Sequence, residues 1–129
     1  MSGERDLAVL LASTSPVLVH PAVVLVSVPD AAGLPALATV VEDEGVTVAL
    51  RRDDADALKL PYDWVGAWIT LRVQSALEAV GLTAAFSTAL ADAGISCNVL
   101  AGFFHDHLLV PADRARDALA LLASLGPRP

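Results

Sequence analysis

Cysteine is nearly absent from this chain: Cys97 is the only one in 129 residues. A lone cysteine cannot close an internal disulfide, so nothing here demands an oxidising compartment. Basic residues are scarce as well, eight Lys and Arg against fifteen Asp and Glu, for a net charge of −7. The first 62 residues carry nine acids and four bases, the remainder six and four, and neither half holds a basic patch. Nucleic acids and anionic membrane surfaces are bound by lysines and arginines that replace counterions, so both are excluded as partners. Long hydrophobic runs are missing too. The apolar stretch Val17–Val28 is broken by His20 and Pro21 and falls short of the roughly 20 residues that span a bilayer. The N-terminus MSGERDLAVLLAST has too short an apolar run for a signal core, and the expected location is cytoplasmic.

Several motifs of catalysis and ligation are also wanting. There is no HxxxH, CxxC or HExxH, no GxGxxG and no GxxxxGK[ST]. The acidic runs EDEG and DDAD lack the calcium-loop spacing and read as a solvated turn and an acid-rich helix start. No cofactor is implied.

What the chain does have is core material: 55% of its residues are hydrophobic and only 18% charged, against roughly 45–50% and 25% in ordinary soluble domains. Leu7, Leu10 and Leu11 share a face of a short N-terminal helix. Residues 22–28, AVVLVSV, lie between two prolines and suit a buried strand, and DAAGLPALA at 30–38 reads as loop or a short helix. TVVEDEGVTVAL reads as a hairpin in which Gly45 supplies the left-handed turn residue. RRDDADALKL then starts a helix with acids at its positive end, and Pro61 ends it.

WVGAWITLRVQ alternates, with Val65, Ala67, Ile69, Leu71 and Val73 on one face and Trp64, Trp68, Thr70, Arg72 and Gln74 on the other. Leu82, Ala85, Phe86, Ala89, Leu90 and Ala93 form a helical core stripe that stops at Gly94. Residues 95–102 and 107–110 are two strands around the turn FFHD, and Pro111 opens a last helix with Ala115, Ala118, Leu119, Leu122 and Leu125 inward. DADAL at 54–58 aligns with ARDAL at 115–119, an internal offset of 61. The expectation is an α+β fold: an antiparallel sheet with helices on one face, in two ferredoxin-like units at 1–62 and 63–129.

Three groups could carry chemistry. Cys97, His105 and His107 could serve a thiol- or metal-dependent enzyme, but a hairpin with a polar turn and a small core cysteine accounts for them more simply. Trp64 and Trp68 could lie in a dimer interface of a pure interaction module. The third group is the loop QSALEAVGLTAAF, whose end leaves backbone N–H groups free to receive a carboxylate, with Ser75, Glu78 and Thr83 nearby; the alternative is that Thr83 merely caps the helix.

WITLRVQSALEAVGLTAAFSTALADAGISCNVLAGFFHDHLLVP, with EDEGVTVAL before it, resembles the small bacterial proteins that carry two ACT-type units in tandem, regulatory modules that often sense amino acids. The resemblance implies repeated βαββαβ units, a non-enzymatic regulatory role, and an amino acid held between units. It points to Ser75, Glu78, Gly81, Leu82 and Thr83 on the loop and to Ile95, Ser96, Cys97 and Asn98 on the following strand. It also implies a homodimer or contact with a regulated protein. The first half departs from the pattern, since DAAGLPALA is too short and broken for a full first helix.

Overall fold

The computed structural model describes residues 15–72 and 81–125. The N-terminal helix expected around Leu7 falls outside these residues. In chain order the elements are β1 Pro16–Val28, β2 Ala38–Glu42, β3 Gly45–Arg51, α1 Arg52–Ala57, β4 Val65–Leu71, α2 Leu82–Asp92, β5 Asn98–Ala101, β6 Asp106–Pro111, a 3-10 turn Ala112–Arg114 and α3 Ala115–Ala123. All six strands form one antiparallel sheet in the order β2-β3-β1-β4-β6-β5.

That order has an internal symmetry. β1 with β3 and β2 mirrors β4 with β6 and β5, and β1 and β4 meet at the centre. A ferredoxin-like unit needs a fourth strand beside its first. Here β4 stands in that place for the first half and β1 for the second, so the two central strands serve both halves.

Alternation along the strands sorts the side chains onto two faces. Val24, Val26, Val48, Leu50 and Val65 pack under Ala55 of α1, while Ala67, Ile69, Leu71, Leu108 and Val110 pack under Phe86 and Leu90 of α2 and Ala118 and Leu122 of α3. Leu82 opens α2, but its side chain lies outside what is described. The helices therefore share one face of the sheet, as expected. The opposite face carries Val23, Ala49 and Trp68 and has no helix over it among the described residues.

Several local expectations are corrected. The first strand begins at Pro16 rather than residue 22 and runs through Pro21. Its pairing with β4 shifts register between Leu18 and His20 and again between His20 and Val23, and a bulge there tolerates a residue without an N–H. Gly45 does take a positive φ, 155°, which residues other than glycine rarely adopt, but it opens β3 and the turn residues are Asp43 and Glu44. Its missing side chain matters through space, since a Cβ would sit 3.1 Å from both Ser27 Oγ and the Val28 carbonyl oxygen.

The first helix ends at Ala57, ahead of Pro61, and the fifth strand starts at Asn98, not residue 95. Pro111 closes β6, and a 3-10 turn separates it from α3. That turn has no counterpart before α1, so the equivalent ion pairs Arg51–Asp54 and Arg114–Asp117 lie 63 positions apart rather than 61.

Residues 30–37 are loop. β2 starts opposite Ala49, which pairs with Leu25, so the chain leaving Val28 needs to return by only about three residue levels. A helix is unnecessary for so short a crossover. Ala31 and Leu34 of the loop pack on the apolar cluster instead.

Candidate functional site

The stop of α2 follows from its sequence. Gly94 takes φ 73°, its N–H donates to Ala91, and the N–H of Ile95 donates to Leu90 at 2.9 Å. This pair of bonds is a Schellman closure, and Ile95 and Leu90 lie in the same buried cluster. Arg114 Nη2 donates to the Ala93 carbonyl at 3.3 Å, a cation at the negative end of the helix. Arg114 follows β6, so it holds the C-terminal end of α2 beside Gly66 and Pro111. The start of α2 consequently points to the opposite end of the sheet, where Leu71 pairs with Asp106.

At that start Gly81 occupies the N-cap position with φ 98° and provides no side-chain cap. No acid occupies the first turn, and Thr83 is exposed without capping the helix. Among the described residues, no side chain caps the leading N–H groups of α2. Ser75 and Glu78 lie outside the described residues.

The strand residues of the expected site lie elsewhere. An eleven-residue helix is about 16 Å long, so Gly81–Thr83 and Ile95–Asn98 stand at opposite ends of it. Ile95 is buried in the core and Cys97 packs against that core, whereas Ser96 and Asn98 are exposed and Asn98 lines the helix-free face. A small ligand within one chain reaches one group or the other. One that touches both has to lie between copies.

The thiol and histidine grouping is not assembled. Leu100 is the residue opposite His107, and Cys97 packs on the helix-covered side while His107 lines the other face. Burial pushes the Cys97 thiol up, away from a reactive thiolate. His105 precedes β6 in the turn, its Nδ1 buried without a partner. Among the described residues, no three His, Cys, Asp or Glu side chains are placed so as to hold a metal ion.

Composition alone did not reveal the hollow on the helix-free face. Ala38 and Val40 from one edge and Asn98 and Leu100 from the other line a single cavity of about 160 Å³ with Trp68 and His107. For both edge strands to reach one cavity, the sheet must be curled. A polar relay through Thr70 joins two of the cavity's lining residues: Trp68 Nε1 donates to Thr70 Oγ1 at 3.2 Å, and that oxygen lies 2.9 Å from His107 Nδ1. Burial, with His105 and Arg72 adding to it, holds His107 below its ordinary pKa, while Asp106 pulls the other way. The alternation of Trp68, Thr70 and Arg72 signalled this amphipathic face, but not its curvature.

Two ACT domain models match in tandem, over residues 2–67 and 65–124. The chain belongs to the ACT domain family. A crystal structure from Vibrio cholerae, of a protein of unknown function described as a possible transport protein, is 42% identical with a TM-score of 0.82 and covers 92% of this chain and 94% of its own. A structure from Agrobacterium tumefaciens shares 23% identity, with a TM-score of 0.58 and 79% of each chain covered. The regulatory subunit of aspartate kinase from Thermus thermophilus, in ligand-free form, shares 13% identity and the fold, with a TM-score of 0.54 and 84% and 93% covered. No curated protein matches. ACT domains are regulatory, non-catalytic modules that commonly bind small molecules such as amino acids and oligomerise. No described helix is long and apolar enough to cross a membrane. The overlap of the two matched ranges falls at the start of β4, the strand that serves both halves.

Proposed function

We propose that this ACT protein is a non-enzymatic cytoplasmic regulator that binds an amino acid at the start of α2 and acts as a homodimer or through a regulated protein. The single observation that carries the reading is the start of α2, which no side chain caps among the described residues and where leading N–H groups and the helix dipole suit a carboxylate. Glu78 faces the ammonium group in this reading, with Ser75 and Thr83 beside it. Ile95–Asn98 belongs to the same site only when contributed by a second copy, which ties binding to dimerisation. The units proposed are 1–62 and 63–129, with one ligand site in the second, since the first has loop where α2 would lie. Binding acts by its differential affinity for two packings of the subunits.

The test is a thermal-shift screen against the twenty amino acids. A ligand at 100 times its dissociation constant adds about 2.7 kcal/mol of stability, a readily visible rise. Glu78→Ala reduces the rise while the ligand-free protein melts nearly unchanged. A screen in which no amino acid raises the transition overturns the reading.

A further inference from the structure

We propose that the curled, helix-free face is a second binding site, for a small neutral molecule built on one aromatic ring that carries a hydroxyl. Four observations lead there. The cavity holds about 160 Å³, and an apolar cavity of about 150 Å³ is known to take up a single benzene ring. Ala38 and Ala49 stand where larger strand residues would fill the hollow, so the space is a consequence of sequence. None of the residues that line it is Asp, Glu, Lys or Arg, and its one ionisable group is His107, which disfavours a charged guest.

The polar side chains that line it are few: Thr47, Asn98 and His107. Asn98 and the imidazole of His107 border the cavity, with His107 held by Thr70, and the Trp68 ring lies 5.3 Å from the His107 ring at 46°. An apolar body with one hydrogen-bonding substituent meets that arrangement, which is the usual make-up of a small-molecule pocket. Curvature decides between guests. Two edge strands border one hollow, so a flat second sheet would bridge the rims and leave the cavity unfilled, whereas a single ring enters it.

This site lies on the face of the sheet opposite α2 and goes beyond the amino-acid reading; Asn98 is the one residue the two share. The test therefore uses other positions. Phenol is titrated into the protein while Trp fluorescence and the backbone amides of 38–40, 99 and 100 are followed by NMR, with benzoate as the charged control. Saturable binding of one phenol per chain is expected, weaker for benzoate, and reduced at least about tenfold by Val40→Trp, which plugs the rim from an exposed position. Ala38→Leu is a second plug should the first disturb the edge strand. Neither plug alters the response to amino acids, and Glu78→Ala leaves phenol binding intact, so each site fails separately. The proposal is overturned by unsaturable or absent shifts at those amides, by phenol binding that both plugs leave unchanged, or by shifts that follow protein concentration alone, which would place a second copy on this face.

Discussion

Thr70 and His107 are direct partners across β4 and β6, and the Thr70 hydroxyl bridges His107 Nδ1 at 2.9 Å and Trp68 Nε1 at 3.2 Å. Thr70 is the one polar side chain buried in the described core, and it sits where three side chains must agree. Thr70→Val preserves shape but strips both neighbours of their partner. The expected cost is about 1–3 kcal/mol, the penalty of leaving buried polar groups unpaired, measured by urea unfolding. A loss within experimental error would mean that water takes over the bonds.

His107 makes stability depend on pH. Its folded pKa lies below the ordinary 6.5, chiefly through burial, with His105 and Arg72 lowering it and Asp106 opposing. The unfolded chain then binds the proton more readily, so His107's contribution is complete above pH 6.5 and is lost as pH falls below that value toward the folded pKa. Asp106, raised above its ordinary value by burial, acts in the opposite sense as pH falls. Melting temperature should fall more between pH 7.5 and 5.5 in the wild type than in His107→Gln. Equal slopes would remove His107 as the cause.

The helices and hairpins among the described residues were legible because each is written in local chemistry. Phe86 and Leu90 recur at the helical spacing and are fully buried, and Gly94 ends the helix as a glycine in the left-handed conformation should. Trp68 and Thr70 alternate with Ala67 and Ile69, and they do face opposite ways. What escaped the sequence is set by distant pairing. The bulge that admits Pro21 depends on β4, and the hollow depends on both edges of a six-stranded sheet, β2 and β5. The expected ligand residues divided for the same reason: Thr83 and Asn98 are close in the chain, yet a helix of about 16 Å stands between them.

Gly66 illustrates such a distant requirement. A Cβ there would fall 2.6 Å from Cζ3 of Trp64, closer still to Cη2, and 3.2 Å from the Val110 carbonyl oxygen. The indole lies over a bare backbone near the start of β4. Gly66→Ala must expel the ring or part the strands, at an expected cost of about 1–3 kcal/mol, seen in thermal melts together with a changed Trp emission. Unchanged emission and stability would show that Trp64 moves aside freely.

Cys97 supplies the decisive check on thiol chemistry. It is half-buried against the α2–α3 core, burial raises its pKa, and His107 belongs to the other face. Since the thiolate is the reactive species, alkylation by iodoacetamide at pH 7.5 should run slower than that of a free thiol, and faster only once denaturant exposes the side chain. Cys97→Ala should then leave phenol binding in place, since the residue does not line that cavity, and cost no more than the lost packing of a small apolar group, on the order of 1 kcal/mol. An alkylation rate above that of a free thiol in the native protein would overturn this reading and return Cys97 to the list of candidate nucleophiles.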